Sequence, residues 1–76
     1  MAKLPATSAR KVISALLRLG FRVVRQRGSH VILINDATKR EVVVPMHQEL
    51  GRGTLRSVVK QAGISVDELL EVLLIL

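Results

Sequence analysis

Three short β-prone segments follow one another with little chain between them, and this spacing limits the possible folds. The segments cover residues 21–26, 30–35 and 41–44 and are rich in valine, isoleucine and leucine. A turn at residues 27–29 joins the first two, and a polar stretch at 35–39 leads to the third. Because a parallel pair needs a crossover of about a dozen residues or more, the sequence predicts an antiparallel meander.

Side-chain alternation predicts which residues share a face of each strand. The second strand is apolar on both faces after His30, as expected for a central strand. In the first strand, simple alternation puts Phe21, Val23 and Arg25 on one side and Arg22, Val24 and Gln26 on the other.

Helical periodicity flanks the three predicted strands. Apolar residues at three- and four-residue spacing predict a helix over residues 9–19, with Thr7 or Ser8 as its N-cap. A second helix is predicted over residues 55–62, with Thr54 as its N-cap. Ser65 and Glu68 have the spacing of a capping box and begin a third helix over residues 66–74.

These elements predict a single α+β domain over residues 1–76, in the order α-β-β-β-α-α. The expected architecture is a three-stranded antiparallel sheet with helices on one face. The helix–turn–helix formed by the last two helices suggests DNA recognition as an alternative. We reject it because the final helix begins Val66-Asp67-Glu68, which is acidic and apolar and unsuited to the major groove.

Charge is distributed unevenly along the chain. The net charge is +6, and residues 1–35 contain seven Lys and Arg side chains and no Asp or Glu. Such a basic half is typical of proteins that bind a polyanion. A basic surface that only maintains solubility is the simpler alternative, and an anionic membrane surface fits less well because no helix has a clean apolar face opposite its basic residues.

Several function classes are disfavoured by composition. The chain has no cysteine, and its two histidines and six carboxylates show no metal-ligand spacing, so no metal or other cofactor is expected. The longest uncharged apolar run, Val72 to Leu76, is far too short to span a membrane. No signal peptide is visible after Met1, and the expected location is the cytoplasm.

The candidate site is the turn that leads into the second strand. His30 follows Gly28 and Ser29, and three arginines precede it: Arg22, Arg25 and Arg27. RNA contains its own nucleophile, the 2′-hydroxyl, so a cleaving protein need only move protons and stabilise the phosphate. An imidazole can do the first and guanidinium groups the second. Together with Lys11, these arginines are the predicted RNA-binding residues; a solvated histidine beside an ordinary hairpin turn is the alternative.

Two further positions are weaker candidates. His47 follows the third strand, and an antiparallel meander places it at the same end of the sheet as His30. Arg52-Gly53-Thr54 precedes the second helix, whose N-terminus is a possible phosphate site. An ordinary loop histidine and simple capping by Thr54 explain these residues equally well.

Five short motifs occur in an order and spacing that resembles the HicA toxin family. They are Gly20-Phe21, Gly28-Ser29-His30, Val44-Pro45-x-His47, Gly53-Thr54-Leu55-Arg56 and Gln61-Ala62-Gly63-Ile64-Ser65. The resemblance implies a fold like that of double-stranded-RNA-binding domains. It also implies a ribosome-independent mRNA interferase and a HicB antitoxin that blocks it. On this basis His30 is the expected catalytic residue, and Gly28 and Ser29 form its supporting turn.

Two alternatives remain beside a metal-independent endoribonuclease toxin. One is an RNA-binding module of the same fold without catalysis. The other is a protein-interaction domain whose basic face meets an acidic partner, which is compatible with the toxin hypothesis. The apolar C-terminal run, residues 72–76, is expected to pack on the core or on another chain.

Overall fold

The computed structural model describes residues 6–76, so Lys3 of the basic half lies outside the described residues. The predicted order of elements and the α+β class are confirmed. The elements are α1 (Ala9–Arg18), β1 (Phe21–Arg27), β2 (His30–Asn35), β3 (Arg40–Pro45), α2 (Arg52–Ala62) and α3 (Val66–Ile75). The strands form one antiparallel sheet in the order β1-β2-β3, so β2 is central as predicted.

The core lies between one face of the sheet and the helices. Alternate residues of the central strand, Val31 and Leu33, enter it together with Val42 and Val44 of β3. The helices contribute buried side chains from their apolar stripes: Val12, Ala15, Leu16, Leu55, Val58, Val59, Ala62 and Leu69. We call the opposite side of the sheet, to which Arg22, Arg25, Arg27, His30, Ile32, Glu41 and Val43 point, the open face.

A β-bulge makes the predicted alternation in β1 wrong beyond Val23. Val23 pairs with Leu33, but the next pair is Arg25 with Ile32, so Val24 is the extra residue. An extra residue shifts all later side chains by one position, and cross-strand partners share a face. Arg25 therefore points to the open face instead of sharing a side with Phe21 and Val23.

The predicted helix starts are confirmed for α1 and α3 and wrong for α2. Ser8 caps α1, and its side chain accepts a hydrogen bond from the Lys11 N–H at 3.3 Å. For α2, the N-cap is Gly51, which has no side chain to accept a hydrogen bond, and Thr54 is already inside the helix. The preceding residue is fixed: the Leu50 N–H donates to the Thr7 carbonyl at 2.7 Å. Because this hydrogen bond fixes the backbone at Leu50, α2 can begin directly after it, with Gly51 as the N-cap.

The capping box of α3 gives a stability prediction. The Ser65 side chain accepts from the Glu68 N–H at 3.0 Å, and the Glu68 carboxylate accepts from the Ser65 N–H at 2.9 Å. We expect Ser65→Ala to lower the free energy of unfolding by about 1 kcal/mol, the usual effect of losing such a cap. Thr54→Ala is the matched control and should change it by less than about 0.5 kcal/mol. Urea denaturation of both variants measures the difference, and equal losses would contradict the assignment of the caps.

Side chains from α2 protect one edge of the sheet. The outward Val43 N–H of β3 donates to Oε1 of Gln61 at 2.9 Å, and the Gln61 amide donates in turn to Ser57 at 2.9 Å. Pro45 has no N–H at all. Capping of an edge strand in this way limits strand addition by another chain.

The apolar C-terminal run, residues 72–76, packs on the core only in part. Val72 and Leu73 pack against the core, as expected, but Leu74 is 84% exposed and Ile75 is 68% exposed. The expectation is therefore confirmed for the first two residues of the run and wrong for Leu74 and Ile75. None of the helices within residues 6–76 has the length and apolar character needed to cross a membrane.

Candidate functional site

A tight turn places His30 at one end of the open face. Gly28 has a φ of +56°, a conformation that favours glycine, and Arg27 and His30 form the closing pair of the hairpin. The Met46 N–H donates to the Ser29 carbonyl at 2.6 Å, and the Gln26 side chain donates to the Gly28 carbonyl at 3.0 Å. These two hydrogen bonds hold the turn from both sides, so the exposed His30 begins β2 from a fixed position.

The bulge in β1 brings the three predicted arginines to one surface. Arg22 is paired with Ile34, Arg25 with Ile32 and Arg27 with His30. Since the even-numbered residues of β2 all point to the open face, the three guanidinium groups lie along one side of it, leading to the histidine. Without the extra residue Val24, alternation alone would separate them.

A shallow depression of about 390 Å³ lies on the open face next to His30. It is lined by Arg25, Arg27, His30, Ile32, Glu41 and Val43. Its size falls in the range of small-molecule sites, about 300–1,000 Å³. The rim is polar and mostly cationic, whereas the side chains of Ile32 and Val43 are aliphatic.

The three arginines differ in how firmly they are held. Arg22 donates two hydrogen bonds to Asp36, at 2.6 and 3.2 Å. The hydrogen bond from Arg22 holds the pKa of Asp36 below its ordinary value, so the carboxylate that Arg22 contacts is ionised at neutral pH. Arg25 makes a looser ion pair with Glu41 at 3.6 Å. Arg27 forms no ion pair within the described part of the chain and is the most available for a phosphate.

Lys11 and His47 are placed elsewhere. Lys11 is exposed on the first turn of α1, and that helix packs on the face opposite to the arginines. The register confirms that His47 and His30 share one end of the sheet, since His30 pairs with Pro45. His47 nevertheless lines a different depression, beside Ser8 and Arg10, and its carbonyl accepts from the Ala9 N–H at 3.1 Å.

Sequence reasoning missed the side of the depression formed by β3. The sequence pattern places Glu41 and Val43 only in a strand, whereas the register puts them opposite Ile34 and Ile32 on the face of His30. Because Pro45 pairs with His30, the residues two and four positions earlier on β3, Val43 and Glu41, lie on the same face as His30. Within residues 6–76, no cluster of three or more His, Cys, Asp or Glu side chains is arranged to hold a metal ion.

Comparison with known protein families gives a match that covers most of the chain. The family model of the HicA toxin of bacterial toxin–antitoxin systems matches residues 9–64, which contain α1, the whole sheet and α2. The chain belongs to the HicA toxin family. It is thus the toxin component of a toxin–antitoxin system, and the resemblance drawn from five short motifs is confirmed. None of the curated proteins compared with this HicA-family chain gives a significant match.

Proposed function

We propose that this HicA-family toxin is a metal-independent endoribonuclease that cleaves mRNA in the cytoplasm and is neutralised by a HicB-type antitoxin. The observation that carries the proposal is the position of His30, exposed at one end of a depression rimmed by Arg25 and Arg27. A proton-transfer group beside phosphate-binding cations is the minimum that RNA cleavage by its own 2′-hydroxyl requires.

His30 acts as general acid or base in the proposed reaction. The 2′-oxygen attacks the adjacent phosphorus and loses its proton, while the bond from phosphorus to the 5′-oxygen of the next nucleotide breaks and that oxygen gains a proton. The products are a 2′,3′-cyclic phosphate and a 5′-hydroxyl. Arg27 stabilises the crowded phosphate, and the fixed turn at Gly28 and Ser29 holds His30 in position for proton transfer.

The ends of the products test this mechanism. We expect a 2′,3′-cyclic phosphate on the upstream fragment and no cleavage where the upstream nucleotide is 2′-deoxy. Mass spectrometry of fragments from a defined RNA and from its singly deoxy-substituted copy measures both. Cutting of the deoxy-substituted bond would contradict attack by the 2′-hydroxyl.

A non-catalytic RNA-binding module on the same fold is the second candidate. It is favoured by the line of arginines on the open face, which needs no catalytic group to bind phosphates. It predicts salt-sensitive binding of RNA without any product.

The availability of Arg27 gives a prediction for binding. Arg27→Gln should weaken binding of single-stranded RNA of any sequence and should reduce the slope of log K against log salt by about 0.7. Arg18→Gln, on the exposed end of α1, removes the same charge away from the open face and should leave the slope nearly unchanged. Fluorescence anisotropy at several salt concentrations measures both, in a His30→Ala background that prevents cleavage. Equal slopes for the two variants would show that Arg27 makes no particular phosphate contact.

A further inference from the structure

One aliphatic side chain is buried on the side of the sheet that no helix covers. Ile32 is 4% exposed, yet it points to the open face and does not belong to the core cluster. Its cover comes from neighbouring strands: Arg25 lies opposite it on β1, and Glu41 lies two pairs further along on β3. The Arg25–Glu41 ion pair therefore spans the central strand above Ile32.

The Arg25–Glu41 ion pair is exposed and easily broken. Its N–O distance is 3.6 Å, and the two side chains are 55% and 49% exposed. Exposed pairs of this kind contribute little to stability, on the order of 0–1 kcal/mol. A phosphate that binds Arg25 competes with Glu41 for the guanidinium group. Binding of an RNA phosphate by Arg25 would release Glu41 and uncover Ile32, next to Val43, which is already exposed.

The uncovered surface has the chemistry of a base-binding site. Ile32 and Val43 offer an aliphatic surface on which a base can lie flat. Among the described residues that line the depression, Glu41 is the only acidic one, and it lies at the margin of this surface. An ionised carboxylate only accepts hydrogen bonds, through two oxygens. Guanine is the base whose Watson–Crick edge presents two adjacent donors, N1–H and the N2 amino group. Adenine and cytosine place a ring acceptor beside their amino group, and uracil flanks its N3–H with carbonyls.

We propose that Glu41 is a specificity residue that binds an unpaired guanine of the RNA, with the base lying on Ile32 and Val43. This inference rests on the proposed function, because it assumes that the open face binds single-stranded RNA. Glu41 lies opposite Ile34, four residues along β2 from His30, which corresponds to about 13 Å. The guanine is therefore a neighbour of the cleaved bond and does not take part in the reaction.

Binding of short RNAs tests the proposal without requiring cleavage. The probes are three single-stranded octamers: oligouridine, oligouridine with one central guanine, and oligouridine with one central adenine. In the His30→Ala background we expect the guanine octamer to bind about 5- to 100-fold more tightly than the other two, as for a bidentate base contact. Glu41→Gln presents one donor and one acceptor, which adenine, uracil and guanine can each match, so the preference for guanine should be lost.

Asp36→Asn is the matched control. It removes a carboxylate from the other arginine pair of the open face and changes the net charge by the same amount. This variant should keep the preference for guanine. If Glu41 serves only to hold Arg25, then Glu41→Gln will change the affinity for all three octamers by one common factor, and the proposal is overturned. Equal binding of the three octamers by the protein with Glu41 intact also overturns it but leaves the proposed function standing, whereas failure to bind any of them overturns both.

Discussion

We expect the His30→Ala protein to bind RNA almost as tightly as the unchanged protein and to leave it uncut. His30 is exposed on the open face and contributes nothing to the core, so its loss should not affect folding. Positioned acid–base groups commonly accelerate reactions by about 10²–10⁴-fold, and a loss of this size brings cleavage to background. Single-turnover cleavage of a labelled RNA, combined with anisotropy measurements of binding, separates the chemical step from affinity.

His47→Ala is the control for this experiment. His47 is also exposed and lies at the same end of the sheet, but it lines the depression beside α1 and not the one that contains His30. We expect its cleavage rate to stay within a few-fold of the unchanged protein, an order-of-magnitude bound for a group that does not transfer the proton. A loss equal to that of His30→Ala would mean that both histidines take part in catalysis.

The second large effect concerns the core. Leu33 is fully buried on the central strand, where it packs among residues from the other strands and the helices. We expect Leu33→Ala to lower the free energy of unfolding by about 2–5 kcal/mol, because the cavity it leaves can close only partly. A domain of this size has a total stability of about 4–11 kcal/mol, so we expect a large part of the variant to be unfolded at 37 °C.

Val23→Ala is the matched control for Leu33→Ala. Val23 is the direct partner of Leu33 on β1, but it is 47% exposed at the edge of the sheet. Its truncation should lower the free energy of unfolding by less than about 1 kcal/mol, since little buried contact is lost. Denaturant titrations followed by circular dichroism measure both changes. Similar losses would contradict the burial assigned to Leu33 at the centre of the core.

Much of the fold followed from local signals in the sequence. The short connections dictated an antiparallel meander, and the spacing of Ser65 and Glu68 correctly marked the start of α3. Thr54 was a misleading signal because the start of α2 depends on a contact distant in sequence. The Leu50 N–H is held by Thr7, and no pattern around residue 54 records that hydrogen bond.

The residues that form the site were harder to predict from the sequence than the fold was. His30 and the three arginines lie close together in the sequence, within residues 22–30, so they could be predicted as one site. The bulge at Val24 has no clear mark in the sequence, although it determines that Arg25 shares a face with Arg22 and Arg27. Glu41 was missed because its closeness to Arg25 depends on the register of two strand pairs at once.

The most direct test of the account uses purified protein, its His30→Ala variant and a long single-stranded RNA in excess EDTA. We predict cleavage by the unchanged protein and none by the variant, which would establish a metal-independent, histidine-dependent ribonuclease. Cleavage by a folded His30→Ala protein would contradict the assigned role of His30. Binding by both proteins without cleavage by either would favour the non-catalytic module.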